Sequence, residues 1–151
     1  MMTSASSPAE ENEQLPRVEF AFPGPLREQL VAAVLEGRKT ATTGLLREYE
    51  HEGEPLPVAG TRSAVIDSTA VPVAVIETTD VRVVPLAEVD AAHARDEGEG
   101  HETVQEWRAS HEEFWHSAEM RTALGEADFV VDDATAVVLE RFRLVEDLRP
   151  R

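Results

Sequence analysis

The chain has no cysteine and one lysine. Without cysteine there is no disulfide framework and no zinc–thiolate site, and the redox compartment stays unread. The lysine count is more informative. Of fourteen basic residues all but Lys39 are arginine, which never gives up its proton in a protein, whereas lysine does. No run of eighteen apolar residues occurs, and the N-terminus lacks the apolar stretch of a secretory signal. The expectation is a soluble cytoplasmic protein without membrane partners. A glycine-rich phosphate loop and a G-x-S-x-G elbow are both absent, which removes the usual plans for nucleoside triphosphate hydrolysis and ester cleavage. Positive charge is scarce. The net charge of −16 opposes binding to phosphate backbones, and no DNA partner is expected.

At 151 residues the chain fits one domain able to bury its own core. Residues 1–17 are small, polar and acidic with little to bury, and read as a disordered acidic tail. They contribute three glutamates against Arg17, so nearly all of the −16 belongs to the domain over residues 18–148. Val18–Phe22 alternates like a short strand. Pro25 then suits a helix start, and Leu26, Leu30, Val31, Val34 and Leu35 share a face before Gly37 stops the helix. Leu45, Leu46 and Tyr49 suggest a further helical turn, and 53–60 a loop. β-Branched runs over 62–67 and 73–84, separated by Ser68-Thr69-Ala70, predict antiparallel hairpins. Helix returns over 86–95. A second helix, capped by Thr103, carries Val104, Trp107, His111, Phe114 and Trp115 on one face. Phe129–Val131 and 136–145 read as two closing strands. Strands in this number with inserted helices predict an α+β domain around a strongly curved sheet or small barrel.

Chemistry concentrates in Gly37-Arg38-Lys39-Thr40-Ala41-Thr42-Thr43-Gly44, which sets the lone lysine among three hydroxyls. A threonine hydroxyl becomes a nucleophile when a base takes its proton, and a neutral lysine is one such base. The acidic run Asp96-Glu97-Gly98-Glu99-Gly100 reads either as a solvated helix end or as carboxylates held at a cleft. Should Glu97 lie near Lys39 and a threonine, the three make an acyl-transfer site. His111 and His116 are five residues apart and diverge by roughly 140° on a helix, so they do not form a zinc pair. No metal and no cofactor is expected.

The order of these blocks resembles the ASCH domain family. The blocks are Gly37–Leu45, Val65-Ile66-Asp67, Val75–Val81, Glu97–Gly100, Trp107-Arg108 and His111, and the likeness covers about residues 18 to 148. The resemblance implies a PUA-like small curved β-barrel with flanking helices, and a cleft for a nucleoside or single-stranded RNA. Local similarity to the N(4)-acetylcytidine amidohydrolase branch implies Lys39, Thr42 and Glu97 as catalytic residues. Arg38, Thr40, Thr43, Arg47 and Glu99 are then candidates for substrate binding. Other members imply instead a ribonuclease or an RNA-binding module, and a non-catalytic small-ligand domain is the third possibility. The wider family pattern wants an arginine where Gly44 stands, and Arg47 is the nearest replacement. Oligomeric state is not legible.

Overall fold

A computed structural model describes residues 14–150. The elements in chain order are β1 (Arg17–Val18), α1 (Pro25–Leu35), β2 (Ala41–Leu45), α2 (Leu46–Glu52), β3 (Arg62–Ile66) and β4 (Pro72–Pro85). A single 3₁₀ turn (Leu86–Glu88) leads to α3 (Ala91–Asp96), α4 (Val104–Trp115), α5 (Ala118–Leu124) and β5 (Ala136–Asp147). Apart from Arg17, which enters β1, and residues 14–16, which lead into it, the expected tail lies outside the described residues. No helix among the described residues is long and apolar enough to cross a membrane.

The five strands form one mixed sheet in the order β1-β3-β4-β5-β2, with β1 parallel to β3 and the other pairs antiparallel. The sheet is open, and β1 and β2 are its edges. Register shifts at Val75/Ile76 and Thr78/Asp80 interrupt the β4–β5 ladder. Bulges of this kind bend a strand and raise its twist, which curls the sheet toward the expected barrel-like α+β form.

The sheet carries two apolar clusters. Val31 and Val34 of α1 pack with Phe20, Val65, Ala74, Ile76 and Phe142. Trp107, Trp115, Met120 and Leu124 of α4 and α5 pack with Leu45, Leu86, Val137 and Leu139. The sequence signals for these helices hold. Pro25 opens α1, Gly37 follows its end with φ +80°, and the Thr103 hydroxyl accepts from the Glu106 N–H at the start of α4.

Of two expected strands the first keeps only Val18, in β1, and the second is not formed, for one reason. Over Phe20–Phe22 the backbone bends at Ala21 (φ +58°), and the buried Arg27 guanidinium donates to Phe20 O (3.1 Å) and Ala21 O (2.8 Å). Phe129–Val131 is a loop. Arg121 donates to Phe129 O (3.0 Å), and Val131 N–H donates to His116 Nε2 (3.0 Å). In both places side chains satisfy backbone groups that a strand would have paired, while the apolar residues still pack on the core. Of the two closing strands expected, only the second forms, as the long interior strand β5.

Candidate functional site

Lys39 and Glu97 come from segments that touch through their backbones. Thr40 N–H donates to Asp96 O (2.8 Å), and Arg38 Nη1 to Gly98 O (3.2 Å). Gly98 makes this approach possible. Its φ is +71°, and a Cβ there would lie 2.3 Å from Arg38 O. No other residue fits a left-handed backbone pressed this closely on a carbonyl.

The pair is enclosed, with side-chain exposures of 1% for Lys39 and 2% for Glu97. Lys39 Nζ donates to Glu97 Oε1 (3.2 Å), Ala41 O (2.9 Å) and Glu97 O (3.4 Å). Three acceptors use the three hydrogens of an ammonium. The Phe20 ring adds a cation–π contact, 5.5 Å from Nζ to its centroid. Glu97 Oε2 accepts from Thr43 Oγ1 (2.7 Å) and Trp107 Nε1 (2.6 Å). Burial alone would raise the Glu97 pKa, but the Lys39 charge and the hydrogen bonds of His111 and His93 hold it well below the ordinary carboxylate value.

Two histidines flank this carboxylate. His93 Nε2 lies 2.8 Å from Thr43 Oγ1 and 3.5 Å from Glu97 Oε2, and the ring is fully buried. His93 Nδ1 has no partner among the described residues. His111 Nδ1 lies 2.8 Å from Trp107 O and must donate to it, because a carbonyl only accepts. Its Nε2 faces Glu97 Oε1 at 3.4 Å and Glu99 Oε2 at 4.0 Å. Burial works to lower the His111 pKa, yet the bond to Glu97 and the two carboxylate charges raise it overall. The Trp107 indole stacks on the His111 ring with centroids 4.2 Å apart, so one tryptophan orients both Glu97 and His111. Glu99 is shifted the other way. Burial raises its pKa against the pull of Lys39, and the Glu97 charge adds to the rise.

A cleft of about 510 Å³ opens in front of this cluster. Thr43, Glu99 and His111 reach its wall, with Phe22, Phe114 and Tyr49 among the aromatic lining. The Tyr49 ring lies over Gly44, where a Cβ would stand 3.3 Å from it, and burial with the nearby Glu140 raises the phenol pKa. The lining also carries Glu19, Glu48, Glu52, Glu54 and Glu140, against Arg17 and Arg27.

Of the residues named from sequence, the structure brings Lys39, Thr43, Glu97 and Glu99 into one cluster. Thr42 also lines the cleft, but it alternates with Thr43 along β2, and its hydroxyl makes no hydrogen bond among the described residues. The Thr40 hydroxyl is turned to Asp96 O (3.4 Å). Arg38 is exposed and bonded to Glu36 (2.8 Å from Nε). Arg47 pairs with Glu126 beside a separate small pocket, on no wall of the main cleft. His93, His111 and Trp107 were not singled out as site residues. The available signal was i,i+4 spacing, which places His93 with Glu97 and Trp107 with His111.

Ligand atoms of Glu97, Glu99 and His111 lie within 4.8 Å of one another. The set suits a cation poorly. Both oxygens of Glu97 already accept hydrogen bonds, and one faces the Lys39 ammonium.

A family model described as the ASCH domain matches residues 17–146. A crystal structure of an Enterococcus faecalis protein is similar at 29% identity and TM-score 0.74, covering 88% of this chain and 77% of that one. A crystal structure of an ASCH domain from Lactobacillus crispatus shares the fold at 24% identity and TM-score 0.73, covering 90% of this chain and 82% of the other. No curated protein matches the chain.

Proposed function

We propose, from the premise that this chain belongs to the ASCH domain family, that its cleft binds a nucleoside-sized ligand and hydrolyses an acyl-amide on it, as in N(4)-acetylcytidine. The observation that carries this reading is the Thr43 hydroxyl at the cleft wall, with His93 Nε2 at 2.8 Å and Glu97 Oε2 at 2.7 Å behind it. That is a nucleophile within reach of a base whose ring is set against a carboxylate. A volume of about 510 Å³ suits a small molecule.

The roles follow from the hydrogen bonds. Lys39 spends its three hydrogens on three oxygens, so its lone pair is not free to take a proton. It acts by keeping Glu97 ionised. Glu97, held acidic, is a weak base, so for the attack the Thr43 hydroxyl hydrogen turns from Glu97 Oε2 to His93 Nε2, 2.8 Å away, with the ring proton on Nδ1. Thr43 Oγ1 attacks the amide carbonyl as His93 Nε2 takes its proton. Collapse of the tetrahedral adduct breaks the C–N bond, and His93 returns the proton to the departing nitrogen. Water then cleaves the acyl-threonine ester with the same base, releasing the carboxylic acid and restoring the hydroxyl. The Glu97 charge beside His93 stabilises the imidazolium formed in each half.

The experiment is deacetylation of N(4)-acetylcytidine by two variants. Thr43→Val removes the hydroxyl held by His93 and Glu97, and turnover should fall by about 10³-fold or more. Thr42→Val should cost less than about threefold. The reverse pattern would return the nucleophile to Thr42, the position that local family similarity favours. No deacetylation by the unaltered protein would sink the catalytic reading.

A further inference from the structure

The outward backbone edge of β2 points to a second way in which the cleft engages its ligand. β2 is an edge strand, paired only with β5. Phe142 N–H donates to Thr40 O (3.0 Å), which makes Thr40 and Phe142 a hydrogen-bonded pair just beyond the ladder. The register then runs without a shift through Ala41↔Arg141, Thr42↔Glu140, Thr43↔Leu139, Gly44↔Val138 and Leu45↔Val137. Hydrogen-bonded and non-bonded pairs alternate in an antiparallel ladder. Thr42 and Gly44 therefore bond to β5, and the N–H and C=O groups of Ala41, Thr43 and Leu45 point away from it. The Lys39 contact verifies the parity, because Nζ reaches Ala41 O at 2.9 Å from the outer side.

At Thr43 both outward groups are free. No turn, loop or side-chain hydrogen bond among the described residues takes up its N–H or its C=O. Its neighbours on that edge are partly used. Ala41 O is held by Lys39, and after Leu45 the chain turns into α2. The open edge is one residue deep, too short for another strand to pair with. It also lies on the cleft wall. One donor and one acceptor side by side, on a rigid strand, complement a planar group that offers an acceptor beside an N–H donor.

We infer that the main chain of Thr43 is a reading ledge for a nitrogen heterocycle with an amidine or lactam edge, such as a 4-aminopyrimidine. The Thr43 N–H donates to the ring nitrogen, and the Thr43 C=O accepts from the exocyclic N–H. This rests on the cleft being the ligand site, and assigns specificity to backbone groups that side-chain comparison does not reveal.

Titration calorimetry with cytidine and two neutral analogues tests it. 3-Deazacytidine lacks the ring acceptor, and N(4),N(4)-dimethylcytidine lacks the exocyclic donor. Each should bind at least about tenfold more weakly than cytidine, the loss expected when a buried polar partner is left unmade. Two variants supply an independent arm. Thr43→Val loses the hydroxyl but keeps the N–H, and is the reference against which loss of the main-chain donor is read. Thr43→Pro deletes the N–H, and an outward position on an edge strand tolerates proline. It should fold with Thr43→Val-like stability yet bind cytidine at least about tenfold more weakly than Thr43→Val. Equal binding of all three nucleosides, no binding of cytidine, or a Thr43→Pro protein that binds like Thr43→Val or fails to fold would each overturn the ledge. Cytidine binding with discrimination but without deacetylation of N(4)-acetylcytidine would sink only the catalytic reading.

Discussion

Lys39 is the residue on which the site's charge balance rests. Removing one partner of a buried ion pair leaves the other charge unpaired in a low-dielectric interior, so Lys39→Met should destabilise the fold by about 3–5 kcal/mol. Chemical denaturation measures it, and a loss below about 1 kcal/mol would show that the pair is hydrated. Glu97 and His111 give opposite pH dependences. The Glu97 pKa is depressed in the fold, so its stabilisation is present above 4.5 and is lost as pH falls toward the lower folded value. The His111 pKa is raised, so its stabilisation is full below 6.5 and is lost as pH rises through the folded value. Both contributions coexist between 4.5 and 6.5. The stability difference between the unaltered protein and His111→Gln should therefore be greatest in that window and shrink above it. A difference in melting temperature that stays flat from pH 5 to pH 9 would show that folding leaves the His111 pKa unchanged.

Among the elements, the junction of α3 with the segment before β2 is the most constrained. Gly98→Ala combines a strained left-handed φ with a methyl 2.3 Å from Arg38 O, and should cost about 2–4 kcal/mol while parting Lys39 from Glu97. Gly100→Ala is the control. Its φ is +84° but a Cβ there meets nothing within 4 Å, so strain alone, about 1 kcal/mol, is expected. Equal losses in urea titrations would mean that the contact with Arg38 relaxes freely. Much of this level was legible in the sequence. The Pro25 start, the Gly37 stop and the Thr103 cap are local signals, and the structure uses each of them. The nearness of Lys39 and Glu97 was readable only through family resemblance. Two things were hidden. Phe129–Val131 has strand composition, but Arg121 and His116 claim its backbone. Thr42 and Thr43 are indistinguishable by type, and only pairing with β5 decides which hydroxyl faces His93.

For the whole molecule, charge and shape bear on the same partner. The chain carries −16, and six glutamates line its cleft against two arginines, so a polyanion meets repulsion at the place where a nucleoside does not. Generic single-stranded RNA should bind weakly at physiological salt, with a shallow dependence of affinity on salt concentration. Fluorescence titration of a labelled oligonucleotide checks this. Tight binding that collapses as salt rises would favour an RNA module over the nucleoside reading. The long antiparallel pair of β4 and β5 sets a different property. It supplies Ala74, Ile76 and Phe142 to the cluster under α1, and Val137 and Leu139 to the cluster under α4 and α5. Neither cluster can open without breaking a ladder that the other shares. In hydrogen exchange the amides of this strand pair should therefore be the last to exchange, together, as one cooperative unit, and destabilising substitutions under either set of helices should accelerate exchange on both sides of the Thr78/Asp80 bulge alike.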